Sequence, residues 1–256
     1  MQALAELTQM TSAMLWQGFA VFLRVSAMVS LMPAFGEQTV PTRVKLGIAL
    51  AFTFVVTPAI TAPALPPRFE NILWLSLTEI LAGLLLGIGI RLFILALQTA
   101  GSIAAQSTSL AQILGGAMAE PVPAMGHILV MGGLALAVMT GYHVKVAEMM
   151  ILSYEMLPMG RLPTGADVSE WGVDQIRRAF SLAFTLSAPF VILSVLYNVA
   201  LGVINKAMPQ LMVAFVGAPV ITAGGLVLLC LSAPFLLATW LEALNGFIAN
   251  PLVPVP

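Results

Sequence analysis

An all-α membrane protein is the fold class this sequence predicts, and three observations carry that expectation. The chain is 60% hydrophobic and only 8% charged over 256 residues. A soluble domain carries roughly 25% charged residues, and so few charges cannot cover a surface that faces water. The charges also stand far apart, and the runs between them reach the length of about 20 residues that a helix needs to cross a bilayer. Prolines and glycines punctuate those runs, as in helical hairpins packed tightly against one another.

Six runs follow in order: about 11–35, 44–60, 72–105, 125–157, 178–205 and 211–247. The first basic residue, Arg24, lies inside the first run, where a secretory signal would carry its charge ahead of the apolar stretch. That run is expected to stay in the mature protein. Arg43 and Lys45 would fall on one side of the membrane and Arg68, Arg161, Arg177 and Arg178 on the other, a balance that sets no orientation. Pro58, Pro63, Pro66 and Pro67 close the second run, and Pro189, Pro219 and Pro234 interrupt the later ones, where each removes a backbone donor. Gly83 and Gly87 have the spacing that lets two helix backbones come close.

The composition also excludes function classes. A net charge of −1 leaves no basic footprint for nucleic acid. The single Cys230 rules out an internal disulfide framework, and its apolar setting reads as a small buried hydrophobe. His127 and His143 are the only histidines, too few for a histidine-rich metal site. No G-x-S-x-G, Walker A or H-E-x-x-H motif occurs. The chain is therefore expected to be no enzyme and to hold no catalytic, cofactor or metal site.

One polar stretch stands apart, residues 158–178, PMGRLPTGADVSEWGVDQIRR. Gly160, Pro163 and Gly165 break structure there, and Asp167 or Ser169 is expected to cap a following helix. Trp171 beside these charges has the character of an interfacial anchor. The stretch suits a solvated surface loop and a docking surface equally.

Charges inside apolar runs are the first candidate functional residues: Arg24, Glu79, Arg91, Lys145, Glu148 and Lys206. Each costs several kcal/mol in lipid unless paired. Lys145 and Glu148 are three apart and can meet on one helix face. Glu79 and Arg91 are about 18 Å apart along a helix and need partners elsewhere. Interhelical or intersubunit ion pairs outweigh a proton relay through His143 and Glu148.

The stretch 97–123, LQTAGSIAAQSTSLAQILGGAMAEPVP, is the second candidate. Gln98, Ser102, Gln106 and Ser109 form one polar stripe on a helix, which should face protein or water. The stripe runs into Ile113, Leu114, Gly115, Gly116, Ala117 and Met118, an apolar segment without charge. Such a segment suits a constriction or plug, and it equally suits an ordinary interhelical turn.

Three groups of residues bring the chain close to a known family. The first is RVSAMVSLMPAFG from Arg24 to Gly36, followed by VPTRVKLG from Val40 to Gly47. The second is Gln106 to Pro123 with His127 and the run Gly141-Tyr142-His143. The third is Asn198, Gly202, Asn205, Lys206, Pro209 and Gln210, then Gly217 and Pro219. Over nearly its whole length the sequence resembles the R-type subunits of flagellar type III protein-export gates, and more distantly those of injectisomes.

That resemblance implies a P-like part over 1–157 and a Q-like hairpin over 179–256, joined by the connector 158–178. It implies one copy in a hetero-oligomer with P-type and Q-type subunits, together with the B-type and large gate subunits. The assembly would pass unfolded flagellar proteins through the inner membrane at the flagellar basal body, protruding on the periplasmic side. The loop 106–123 would plug the pore. A secondary transporter is the competing class, and it should show an internal repeat. None is evident. The last two helices are expected to turn at Lys206 to Gln210, since Pro209 cannot donate a hydrogen bond and disfavours helix at Met208. Cysteines introduced at Val203 and Val213 should then crosslink. A helix running straight through Pro209 would keep them apart.

Overall fold

The computed structural model describes residues 2–37, 40–60, 69–109, 124–208 and 213–252. Among the described residues all regular structure is helical: α1 (Gln2–Leu31), α2 (Thr42–Val56) with a 3-10 turn at Thr57–Ala59, α3 (Phe69–Ser109), α4 (Ala124–Met139), α5 (Tyr142–Met156), α6 (Gly165–Ala207) and α7 (Val213–Ala249). Among the described residues five stretches are long and apolar enough to cross a membrane, and the α4–α5 pair makes a bent sixth. This is an all-α membrane protein.

Local chemistry sets where the helices stop. α1 ends one residue before Met32 and Pro33, and Ala34 adopts a left-handed conformation, φ 68°. Gly36 then donates back to the Met32 carbonyl at 2.7 Å. A side chain at Gly36 would strike three carbonyl oxygens, of Val29, Ser30 and Met32, so only glycine fits. Lys45 Nζ donates to the Gly36 carbonyl at 2.9 Å, placing a cation on the turn that follows α1. At the far end of α2, Pro58 tightens the chain into the 3-10 turn, and Gln17 Nε2 reaches from α1 to the Thr57 and Ile60 carbonyls.

Four expectations need correction. The run 125–157 does not form one helix. It breaks at Thr140 and Gly141, where Gly141 is left-handed (φ 81°) and the chain bends by 75°. The later helix does not wait for Arg178: α6 begins at Gly165. Its cap is Thr164, not Asp167 or Ser169. The Asp167 carboxylate accepts from the Thr164 amide at 3.1 Å, and the Asp167 amide donates to the Thr164 hydroxyl at 3.3 Å. This reciprocal box satisfies two otherwise orphaned donors, which a cap at Ser169 could not do. Finally, Cys230 is exposed on α7, among the exposed Leu226, Val227 and Leu231.

Pro189 lies inside α6, and Pro219 and Pro234 lie inside α7. Trp171, expected as an anchor, is half-buried and donates its indole N–H to the Pro251 carbonyl at 2.9 Å.

The chain divides into two compact units. The first comprises Met1–Leu92, Val138–Gln175 and Leu244–Pro256, and the second Phe93–Ala137 and Ile176–Ala243. In the first unit Gly83 lies against the Arg24 backbone and Ala27, and Gly87 against Met28 and Leu31. The one-turn glycine spacing thus seats α3 directly on α1, as the sequence pattern predicts. Gly89 makes room for the Phe247 ring. In the second unit Gly101 meets the Gly126 backbone, and Gly133 receives Leu97 and Trp240. Trp240 donates its N–H to the Phe93 carbonyl at 2.9 Å. Gly225 admits Thr108, and Ser194 Oγ donates to the Ser107 carbonyl at 2.6 Å.

A methyl group added at Gly101 has only backbone to push against, whereas Gly172 faces open space in α6. Gly101→Ala should lower the thermal stability of the detergent-purified protein by about 1–3 kcal/mol. Gly172→Ala should be neutral or slightly stabilising. Equal melting temperatures for the two variants would refute the close packing of α3 on α4.

Candidate functional site

Arg24 is a fully hydrogen-bonded buried charge. It sits on α1 with 2% of its surface exposed, and Glu79 on α3 is fully buried. Arg24 Nε donates to Glu79 Oε2 at 2.8 Å and Nη2 to Oε1 at 3.1 Å, a bidentate pair. Nη1 donates to the carbonyl and the hydroxyl of Ser153, at 3.2 and 3.1 Å. Nη2 also donates to the Leu157 carbonyl at 2.8 Å.

A guanidinium has five N–H donors, and this arrangement uses all five. Ser153 and Leu157 belong to the C-terminal end of α5; the Ser153 carbonyl also accepts from the Leu157 amide at 2.8 Å, whereas the Leu157 carbonyl lies past the last helical donor. One cation therefore neutralises Glu79 and caps α5. The guanidinium also lies over the Tyr154 ring, 3.8 Å from its centre. The amide of Gly160 completes the shell of Glu79.

The pairing depends on the glycine contact. Glu79 is four residues before Gly83, and Gly83 is pressed against the Arg24 backbone. Only a helix that close brings the carboxylate within reach. The sequence marked Arg24 and Glu79 as charges that need partners. It did not reveal that they are each other's partner across 55 residues.

The other candidate charges behave differently. Lys145 is half-buried and donates to Asn245 Oδ1 at 3.0 Å, a partner one hundred residues away that no local pattern marks. Glu148 and His143 are both exposed. Arg91 is exposed on α3, and Lys206 is exposed in the last turn of α6, inside the helix rather than in the turn beyond it.

Along α3 the polar stripe faces outward. Gln98 and Gln106 are exposed and Ser102 is half-buried, donating to the Gln98 carbonyl at 2.9 Å. Ser109 ends the helix. The neighbouring Ser107 and Thr108, which the spacing argument passed over, are the buried polar residues. Ile113, Leu114, Gly115, Gly116, Ala117 and Met118 lie outside the described residues. So do Pro209 and Gln210. Asn205 is exposed near the end of α6, and Pro219 is exposed on α7. Tyr197 Oη donates to the Gly217 carbonyl at 2.8 Å, and Leu201 touches Gly217. These contacts join α6 to α7. Among the described residues no group of three or more His, Cys, Asp or Glu could hold a metal ion.

Comparison with known proteins agrees with this picture. The model for "Bacterial export proteins, family 1" matches residues 15–247. The chain belongs to this family. It is 32% identical over 226 residues to the "Flagellar biosynthetic protein FliR" of Caulobacter vibrioides, covering 87% of this chain and 90% of that protein. The protein of that name from Escherichia coli K12 is 30% identical, with 93% and 91% covered. That of Bacillus subtilis is 27% identical, with 84% and 86% covered.

Removing one member of a buried ion pair strands the other, at a cost of about 3–5 kcal/mol, whereas replacing both with apolar residues is close to neutral. Arg24→Met should therefore sharply reduce the amount of this export-family protein in membranes. The double substitution Arg24→Met with Glu79→Leu should recover much of it. Quantitative immunoblotting of membrane fractions reads both, and a double variant no better than the single one would show that the pair is not the unit that matters.

Proposed function

We propose that the chain is the R-type subunit of a flagellar type III protein-export gate in the bacterial inner membrane, with a structural rather than catalytic role. Helix length carries this reading. α3, α6 and α7 contain 41, 43 and 37 residues, so they are about 62, 64 and 56 Å long. The hydrocarbon layer is about 30 Å thick. Large apolar side chains stay exposed far along them, from Leu73 to Leu95 on α3 and from Phe180 to Ile204 on α6. Apolar surface longer than the bilayer needs a cover of protein. That is the situation of a subunit in an assembly that rises out of the membrane, towards the periplasm in this reading.

The partners in this reading are P-type and Q-type subunits in a hetero-oligomer with one R copy, along with the B-type and large export-gate subunits at the flagellar basal body. Residues 1–157 take the P-like role and 179–256 the Q-like role, with 158–178 connecting them. The segment 106–123 closes the pore at rest. Its support is the outward polar stripe of Gln98, Ser102 and Gln106, which leads towards Ile113, Leu114 and Met118. Those apolar side chains would exclude water and ions. Gly115 and Gly116 would let the backbone swing aside as an unfolded protein enters.

Two measurements test the proposal. Coexpressed with its flagellar export genes and extracted in mild detergent, the chain should run in a complex several times its own mass of 27.0 kDa. A stable, monodisperse monomer under those conditions would end the gate reading. Deleting Gly115 and Gly116 should leave that complex assembled but let small ions leak across the membrane, and replacing both with valine should slow export. An assembled, ion-tight deletion variant would reduce the segment to a connector.

A further inference from the structure

In the second unit, residues of α6 and α7 hold both ends of the segment 106–123. Gly225 on α7 is buried. A methyl group placed on it would strike the Thr108 methyl, and would lie 3.1 Å from Thr108 Cβ and 3.6 Å from Met125 Cε. Thr108 stands near the start of the segment and Met125 just past its end. One glycine therefore seats both ends at once. Thr108 is not free to turn its methyl away, because its hydroxyl donates to the Ala104 and Ala105 carbonyls at 3.2 and 3.0 Å. The neighbouring Gly224 has open space where a side chain would go. The close approach belongs to Gly225 and not to this turn of α7 as a whole.

α6 holds the same end of α3 through a directed chain of hydrogen bonds. Asn198 Nδ2 donates to Ser194 Oγ at 3.2 Å and to the Ser194 carbonyl at 2.8 Å. A hydroxyl has a single hydrogen to give. With Asn198 donating to its oxygen, Ser194 turns that hydrogen to the Ser107 carbonyl, at 2.6 Å. Ser107, Thr108 and Ser194 are all buried. Breaking the bond would leave the Ser107 carbonyl without this donor in a setting that water does not reach.

We infer that Gly225, Ser194 and Asn198 are positioning residues for pore closure. They act through the segment 106–123 and not on the exported protein. By fixing where its two ends stand, they set where its apolar side chains meet. A shift at either end is passed along the segment and opens a path for ions. The inference rests on the reading of that segment as the pore closure, and it names what holds the closure in place.

The test uses the full chain coexpressed with its flagellar export genes. It reads the yield of assembled complex in mild detergent and the leak of potassium across the membrane. Gly225→Ala should give the complex at the wild-type yield, with a leak raised about tenfold, the population shift of one overpacked contact. Gly224→Ala should change neither quantity. Thr108→Ser removes the methyl that the new alanine would strike and keeps the hydroxyl. Added to Gly225→Ala, it should restore a tight membrane, because the pair of changes moves one methyl from α3 to α7. Ser194→Ala should also assemble and leak.

An assembled Gly225→Ala complex as tight as the wild type overturns the inference. So does a Gly225→Ala leak that Thr108→Ser fails to lower. If Gly225→Ala yields no complex, Ser194→Ala decides: an assembled, leaky complex upholds the inference, and a tight or absent one overturns it. The deletion of Gly115 and Gly116 separates this inference from the reading beneath it. Where that deletion leaks and Gly225→Ala does not, only the positioning role falls. Where the deletion variant is assembled and tight, the pore-closure reading falls and the positioning role falls with it.

Discussion

The close approach of α3 to α1 at Gly83 is the constraint on which the first unit depends. A hydrogen atom in place of a side chain allows the α3 backbone to touch the turn of α1 that holds Arg24. That contact brings Glu79 into bidentate range, and the neutralised guanidinium is then free to cap α5 through Ser153 and Leu157. Three helices are fixed by a contact whose key residue has no side chain. The apolar residues around them give bulk attraction, but leucine against leucine is no better than leucine against lipid. The choice of which helices meet falls to the glycine and the charges.

Much of the architecture was legible in the sequence. Charges separated by apolar runs gave the helices, and the Gly83–Gly87 spacing gave a close helix contact. The breaks were harder. A run without charge from 125 to 142 reads as one continuous span, and only the left-handed Gly141 divides it. Glycines are frequent in such helices, so nothing local distinguished this one. Thr164 escaped as a cap because Asp167 and Ser169 are equally good capping types, and the choice is made by the reciprocal bonds between Thr164 and Asp167.

The functional residues divide along the same line. Arg24, Glu79, Arg91 and Lys145 stood out because charge is rare here and expensive in an apolar setting. Their partners did not stand out. Asn245 is an unremarked amide one hundred residues from Lys145, and pairing at that range is decided by topology rather than by pattern. Cys230 was placed inside by a rule made for water-soluble proteins, in which apolar means interior. In this chain the exposed surface of α7 is itself apolar, so the rule loses its meaning.

The five bonds of Arg24 also have an order in time. Ribosomes add about 5–20 residues per second and release the chain from its N-terminus. Arg24 is made 55 residues before Glu79, and 129 and 133 residues before Ser153 and Leu157. For several seconds α1 carries a cation whose native partners do not yet exist. During that interval water, the insertion machinery or a chaperone has to hold the charge. Arg24 can complete its five bonds only after α5 has emerged, so α1, made before α3 and α5, is fully locked in place after them.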